Sequence, residues 1–345
     1  MNNLDVTASI STRDRYDVLI LALQAIAFQT TPPKHLFIFD DGAQADLRQN
    51  IVYANIFKLL EQKGINWRVI FGEKKGQVKN HQKTLDMAQT PFIWRLDDDT
   101  APEPQVLETL YKHMSDPKVG AVAGPVAHLD GFLPKEATSP FIEDSLFKYS
   151  IQFAKVEGVK EVQHMYSTFL YRKTAAKHGY PTYLSTVGHR EETIFSHGIF
   201  RAGWKLLVDG NAITWHLKCP TGGIRGFNNV KLWEDDDRKY IQKLKEWGVR
   251  PNEYFLCHLN NGVGDHYVFK GLLPEIRAKH PDKKIIVAAC YPDVFFDEEN
   301  LEVISLNAGA ALSRKPLEAY DIYKFGHDNK WTGHISEIYR KLYEL

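Results

Sequence analysis

Apolar residues in the first 130 positions recur at two alternating spacings. VTASI (6–10) and HLFIFDDG (35–42) are short apolar runs of the kind that form buried strands. Between them, DVLILALQAIAFQ places Leu19, Ala22, Leu23 and Ile26 on one helical face. Strand, helix and strand with short joints is the pattern of a parallel sheet. The alternation continues through a helix over 46–63 that stops at Gly64, a strand NWRVIFG, a helix QVKNHQKTLDMAQ, a strand PFIWRL, a helix from Pro104 to Met114 and a strand VGAVAGPV. The expected fold is α/β, doubly wound on a mostly parallel sheet, with ligands held by the loops at the strand C-terminal ends.

The pattern loosens over 131–190, where aromatic and polar residues mix. EETIFSHGIFRAGW then predicts a helix closed by Gly203, and KLLVDGNAITWH a single strand. KCPTGGIRGFNN is glycine-rich and is expected to be mobile. The charged helix VKLWEDDDRKYIQKLKEWG follows, and its EDDD at 234–237 is expected to face solvent and offset the helix N-terminal dipole. After Pro251 come a strand EYFLCHL, a turn NNGVGD, a helix HYVFKGLLPEIRAKH, a strand KKIIVAAC and a short strand LEVISL, a compact Rossmann-like βαβ piece. The predicted organisation is a main domain over 1–228, a linking helix over 229–250 and a C-terminal α/β module over 251–345.

The 345 residues include 43 Lys+Arg and 43 Asp+Glu, so no global field draws the chain to a polyanion, which argues against nucleic acid and mildly favours a small-molecule partner. Three well-separated cysteines, Cys219, Cys257 and Cys290, fit neither a disulfide framework nor a thiolate zinc site and suit a reducing cytoplasm. No apolar run approaches the ~20 residues needed to span a bilayer. The expectation is a cytoplasmic protein, with peripheral attachment to the inner face of a membrane left open.

One stretch, RLDDDT (95–100), poses a charge problem. Three successive carboxylates, Asp97, Asp98 and Asp99, end an apolar strand on the edge where ligands are expected, and Asp40-Asp41 end a neighbouring strand. Such acids either cap the next helix or surround a positive charge. Hard oxygen ligands converging on one point suit Mn2+ or Mg2+ bound together with substrate phosphates, so a divalent cation is the candidate counter-charge.

These residues stand in an ordered series: the opening strand SISTRD, the strand-end DDG at 40–42, the DDD triplet followed by Pro104, EETIFSHGIFRAGW, and a final WH at 215–216. In this order, residues 5 to about 217 resemble the family 2 glycosyltransferases, nucleotide-sugar enzymes of GT-A fold. The resemblance implies that Ser11 and Thr12 line the nucleotide site, that Asp41 reads the base edge, and that Asp97 and Asp99 take the outer positions of a DxD motif with Asp98 between them. Asp97 would lie nearer the ribose, while Asp99 would hold the metal with His216. Arg13 stands where the family usually shows an aromatic. Lys79 and Asn80 open a helix that approaches the donor in the family. Glu191-Glu192 matches the family's acidic pair, whose second member is the general base, here Glu192. The implied partners are a nucleoside-diphosphate sugar and a glycan or other hydroxyl acceptor, in the setting of surface polysaccharide or lipopolysaccharide assembly.

The segment 260–284 resembles the start of the family 9 heptosyltransferases, in which a glycine-rich turn precedes a helix. The resemblance implies an accessory module for acceptor binding or assembly, with Asp265 and His266 as contacts. Three other functions fit part of the pattern. A nucleotidyltransferase would need a glycine-rich loop after the first strand, and STRDRYD has no glycine. A non-catalytic nucleotide-sugar binder would have lost one of the acids, yet DDG, DDD and EE are all present. A transferase acting on a hydroxymethylated nucleic-acid base is disfavoured by the neutral net charge.

Overall fold

The computed structural model describes residues 3–42, 46–72, 74–146, 148–219, 222–223, 229–249, 254–259, 262–281, 283–306 and 319–345. The chain divides into two compact units. One comprises Met1–Ile142 and Ser150–Trp247, and the other Glu143–Tyr149 and Gly248–Leu345.

The first unit is built from β1 (Leu4–Thr12), α1 (Tyr16–Ala27), β2 (Pro33–Asp40), α2 (Ile51–Gln62), β3 (Asn66–Phe71), α3 (Gln77–Met87) and β4 (Phe92–Asp97). It continues with β5 (Thr100–Pro102), α4 (Val106–His113), β6 (Val119–Ala123), β7 (Val126–His128), the two-residue strands β8 (Thr138–Ser139) and β9 (Tyr149–Ser150), of which Tyr149 is counted in the second unit, and β10 (Val159–Val162). Then come β11 (Phe169–Arg172), α5 (Glu191–Arg201), β12 (Lys205–Asp209), β13 (Thr214–His216) and α6 (Val230–Glu246). Eight of these strands form one sheet in the order β10-β12-β6-β11-β4-β1-β2-β3. Pairing is parallel from β3 through β4 and between β6 and β12, whereas β11 runs antiparallel to both of its neighbours. Apart from β11 and the edge strand β10, the expected doubly wound parallel arrangement is what the chain adopts.

The period-2 geometry of the central strands separates two apolar layers. Val6, Ala8 and Ile10 of β1 and Trp94 and Leu96 of β4 face one core with Leu19, Leu23 and Ile26 of α1. Ile93 of β4 faces the other core with Val78 and Leu85 of α3 and Phe195 and Ile199 of α5. Arg95 shares the Ile93 face, so a cation is delivered into the layer beneath α3 and α5.

KLLVDGNAITWH does not form one strand. It splits into β12, in the large sheet, and β13, which lies between β5 and β7 in a separate three-stranded sheet. The break falls at Gly210, where a Cβ would lie 2.1 Å from the Val156 carbonyl oxygen, so the crowded backbone there excludes a side chain. Helix α6 belongs to the first unit, and its acids do not face solvent as a group. Asp236 is fully buried and accepts hydrogen bonds from the Ser185 amide and hydroxyl and the His189 amide, while Asp237 pairs with His189 and Arg190.

The second unit carries a four-stranded sheet of β14 (Tyr254–Leu259), β15 (Lys284–Ala289), β16 (Glu302–Ser305) and β17 (Ala319–Asp321), ordered β16-β15-β14-β17 with every pairing parallel. The single helix expected after β14 is two, α7 (Val263–Lys270) and α8 (Leu273–Lys279), separated at Gly271-Leu272 just before Pro274. α9 (Ile322–Asp328) and α10 (Ile335–Leu342) complete it. Most of the glycine-rich segment after His216 (220–221 and 224–228), residues 260 and 261 of the second glycine turn, and Pro251 lie outside the described residues.

Candidate active site

The acid triplet is shaped by a change of strand. β4 ends at Asp97, Asp98 and Asp99 make the turn, and β5 begins at Thr100. β5 pairs antiparallel with β13 so that His216 lies opposite Thr100, which brings His216 Nε2 to 3.2 Å from Asp99 Oδ1. The Leu217 amide donates to the Asp99 carbonyl (2.8 Å) and the Cys219 amide to Asp99 Oδ2 (3.2 Å). Ligand atoms of Asp97, Asp99 and His216 all lie within 4.8 Å of one another. Two carboxylates and an imidazole converging on a point form a donor set that fits a six-coordinate divalent ion.

Between the carboxylates the chain itself supplies cations. Arg15 Nη1, at the start of α1, lies 3.2 Å from Asp98 Oδ1 and 3.1 Å from Asp99 Oδ2. Arg95 is wholly buried, with Nη2 at 3.2 Å from Asp97 Oδ1 and 3.8 Å from Glu192 Oε1, and Nη1 at 2.7 Å from Glu191 Oε1. Beside the divalent cation expected as counter-charge, two guanidiniums are therefore already in place around the triplet. Burial raises the Asp98 carboxyl to about 6 despite Arg15 beside it. Burial acts on Asp99 in the same sense, but the His216 hydrogen bond and charge, with Arg15, outweigh it and hold that carboxyl at about 2.

The triplet opens onto a cleft of about 270 Å³ lined also by Ser11, Thr12, Arg13, Asp41 and Gln77. Asp41 is buried; its Oδ2 accepts from the Gly76 amide (2.9 Å) and Asn80 Nδ2 (3.1 Å), whereas its Oδ1 is buried with no partner among the described residues. A Cβ on residue 72 would lie 1.6 Å from that oxygen, so Gly72 is what gives the carboxylate room. Asn80 also donates to Ser11 Oγ (2.8 Å), and Thr12 Oγ1 donates to Asp98 Oδ2 (2.8 Å). Asp40, the other member of the acidic pair, turns instead to Tyr16 and the Gly42 amide. Lys79 is not brought to the cleft: it is exposed and lines a separate depression with Gly72, Lys75 and Lys83. Exposed helix positions three or four apart share a face, so Lys79 lies with Lys83 on the solvent side of α3 while Asn80 is buried.

Glu191 and Glu192 open α5, following Arg190 in the left-handed region (φ 69°). Glu191 is completely buried against Arg95, and burial moves its carboxyl pKa upward against the pull of that guanidinium. Its geometry is that of an ion-pair partner of Arg95. Glu192 is 5% exposed and reaches Arg95 from the other side. In the second unit, His266 is buried, with Nδ1 3.0 Å from the Gly262 carbonyl and Nε2 accepting from the Tyr291 amide, and the Asp265 amide donates to Gly262. His266 thus spends both ring nitrogens inside its own fold.

Arg15 and Arg95 were not singled out from the sequence, and Asp236 was read only as one of a solvent-facing run. Arg95 carried a readable signal, a charged residue inside the apolar strand PFIWRLD, which burial tolerates only beside carboxylates. Arg15 and Asp236 carried none, because their partners are distant in the chain.

The sequence profile of glycosyl transferase family 2 matches residues 7–179. No curated protein sequence matches the chain significantly. Among solved structures, GalNAc-T7 with UDP, GalNAc and Mn2+ is similar with a TM-score of 0.54 at 14% identity, over 82% of this chain and 55% of that one. The mannosyltransferase PcManGT from Pyrobaculum calidifontis, in complex with GDP-Man and Mn2+, aligns at a TM-score of 0.49 and 13% identity, over 72% of this chain and 66% of that one. TarS of S. aureus (1–349) aligns at 0.47 and 14% identity, over 80% and 81%.

Proposed function

Because the chain belongs to glycosyl transferase family 2, we propose that it is a metal-dependent glycosyltransferase moving a sugar from a nucleoside-diphosphate donor to a hydroxyl acceptor. The observation that carries this reading is the meeting of Asp97, Asp99 and His216 on the cleft that Ser11, Thr12 and Asp41 also line. A divalent cation bound there would supply Lewis-acid stabilisation of the charge gathering on a leaving diphosphate. GalNAc-T7, of similar fold, was crystallised with a nucleotide and Mn2+, which supports the same chemistry.

In this reading Asp41 Oδ1, buried and without a partner among the described residues, accepts an N–H of the nucleobase, and the burial that isolates it makes the match selective. Asp99 would hold the metal with His216, and Asp97 would complete the set on the ribose side. Glu192 takes the acceptor hydroxyl's proton as the oxygen attacks the anomeric carbon, giving inversion. Glu191 serves by fixing Arg95 and with it the start of α5. The acceptor is proposed to be a glycan hydroxyl in surface polysaccharide assembly on the cytoplasmic side of a membrane, and the second unit an accessory module for acceptor binding. Among the described residues, no helix is long and apolar enough to cross a membrane.

Glu192→Gln tests the assignment. Transfer with Mn2+ should fall by about 10²–10⁴-fold, the range for loss of a general base, while Mn2+ and nucleotide binding by calorimetry stay near wild type. Transfer undiminished by the substitution, or a product that retains the donor's anomeric configuration, removes Glu192 from that role.

A further inference from the structure

Arg15 lines the cleft, and the chemistry above gives it no task. It sits at the N-cap of the 12-residue α1, on the C-terminal edge of the sheet where a helix N-terminus favours an anion. Its hydrogen bonds to Asp98 and Asp99 are both made by Nη1. Nε is buried with no acceptor among the described residues. Gly223 packs over the guanidinium on the side of Nε and Nη2, the edge that in a guanidinium binds phosphate bidentately. A Cβ at that residue would lie 2.9 Å from each of those two nitrogens. Gly223 has φ 73° and its amide donates to the Arg13 carbonyl (2.7 Å), so a residue without a side chain is held against the fork.

The two aspartates fix the guanidinium on the far oxygen of Asp99, away from Oδ1, which meets His216. Arg95 is shared among Asp97, Glu191 and Glu192, so Arg15 is the guanidinium that Asp98 and Asp99 have to themselves.

We propose that Arg15 is a diphosphate-binding residue: Asp98 and Asp99 hold Nη1, and the Nε–Nη2 edge grips the donor's diphosphate beside the metal ligands. This rests on the reading of the cleft as a nucleotide-sugar site. The rival role is structural, with Arg15 only neutralising the acid cluster, and the two roles differ in what they do to ligand discrimination.

The test is calorimetric titration of wild type, Arg15→Gln and Arg15→Lys with Mn2+ alone. Titrations with UDP, GDP, ADP, CDP and dTDP and their monophosphates, each with Mn2+, complete the set. For the best-binding base, Arg15→Gln should weaken the diphosphate by about tenfold or more, as loss of a charge-assisted bidentate contact does. The monophosphate should change by less than about twofold, and Mn2+ alone should bind as well as or better than in wild type, since a neighbouring positive charge is gone. Arg15→Lys should keep the charge and lose the fork, falling between the two. Equal weakening of di- and monophosphate, or an unchanged diphosphate affinity, overturns the proposal. If Arg15→Gln does not fold by circular dichroism, Arg15→Lys decides, with an unchanged di- to monophosphate ratio as the contrary result. Wild type binding none of the diphosphates would instead sink the reading of the cleft itself.

Discussion

A guanidinium in the middle of a buried strand survives only where carboxylates close around it, and Arg95 has Asp97, Glu191 and Glu192. Burial by itself lowers the arginine's pKa, but those acids raise it above the ordinary value, so the cation is permanent. Arg95→Met would leave Glu191 buried beside Glu192 with no counter-charge. Removing one partner of a buried ion pair costs about 3–5 kcal/mol, and urea unfolding should report a loss of that order. A loss below about 1 kcal/mol would mean that the acids are neutral without Arg95. The residue scale is also where the sequence was least legible. DDD, EE and the terminal His were visible as types, and Ser11, Thr12, Asp41, Asp97, Asp98, Asp99 and His216 do meet at one cleft. Lys79 did not follow, because helix phase decides which neighbour of Asn80 turns inward.

At the scale of elements, α5 is held from two sides. Arg95 of β4 meets its first acids, and Asp236 and Asp237 of α6 hold the loop over 185–190 that leads into it. The EDDD run looked like a solvated face because composition alone cannot tell an acid facing water from one facing backbone amides. His197, further along α5, adds a pH dependence. Its Nδ1 is 3.0 Å from the Gln163 carbonyl, its Nε2 is buried without a partner among the described residues, Phe200 and Trp247 pack on the ring, and the charge of Arg201 acts on it. Burial, with the charge of Arg201, lowers the imidazole from 6.5 to about 4. The unfolded chain therefore binds this proton more readily than the folded one. The contribution is complete above pH 6.5 and is lost as pH falls toward 4, about 3 kcal/mol at most. His197→Asn keeps a donor for the Gln163 carbonyl and removes the titration. Its unfolding free energy should fall less steeply between pH 6.5 and 4 than that of wild type, and equal slopes would assign the acid sensitivity to other groups.

For the whole molecule, the strand–helix alternation made the sheet and its ligand edge readable before any coordinates. The antiparallel entry of β11 and the split into β12 and β13 were not, since both depend on pairing between distant segments. That split matters most: it carries His216 out of the large sheet and sets it across from Thr100, beside Asp99. Metal, nucleotide and acceptor chemistry in this account all rest on that meeting point. Anomalous diffraction from crystals grown with Mn2+ and a nucleoside diphosphate addresses it directly. The account predicts a manganese peak coordinated by Asp99 and His216, with Asp97 at its side. A clear nucleotide in the cleft with no manganese at those residues, or manganese bound elsewhere, would contradict it.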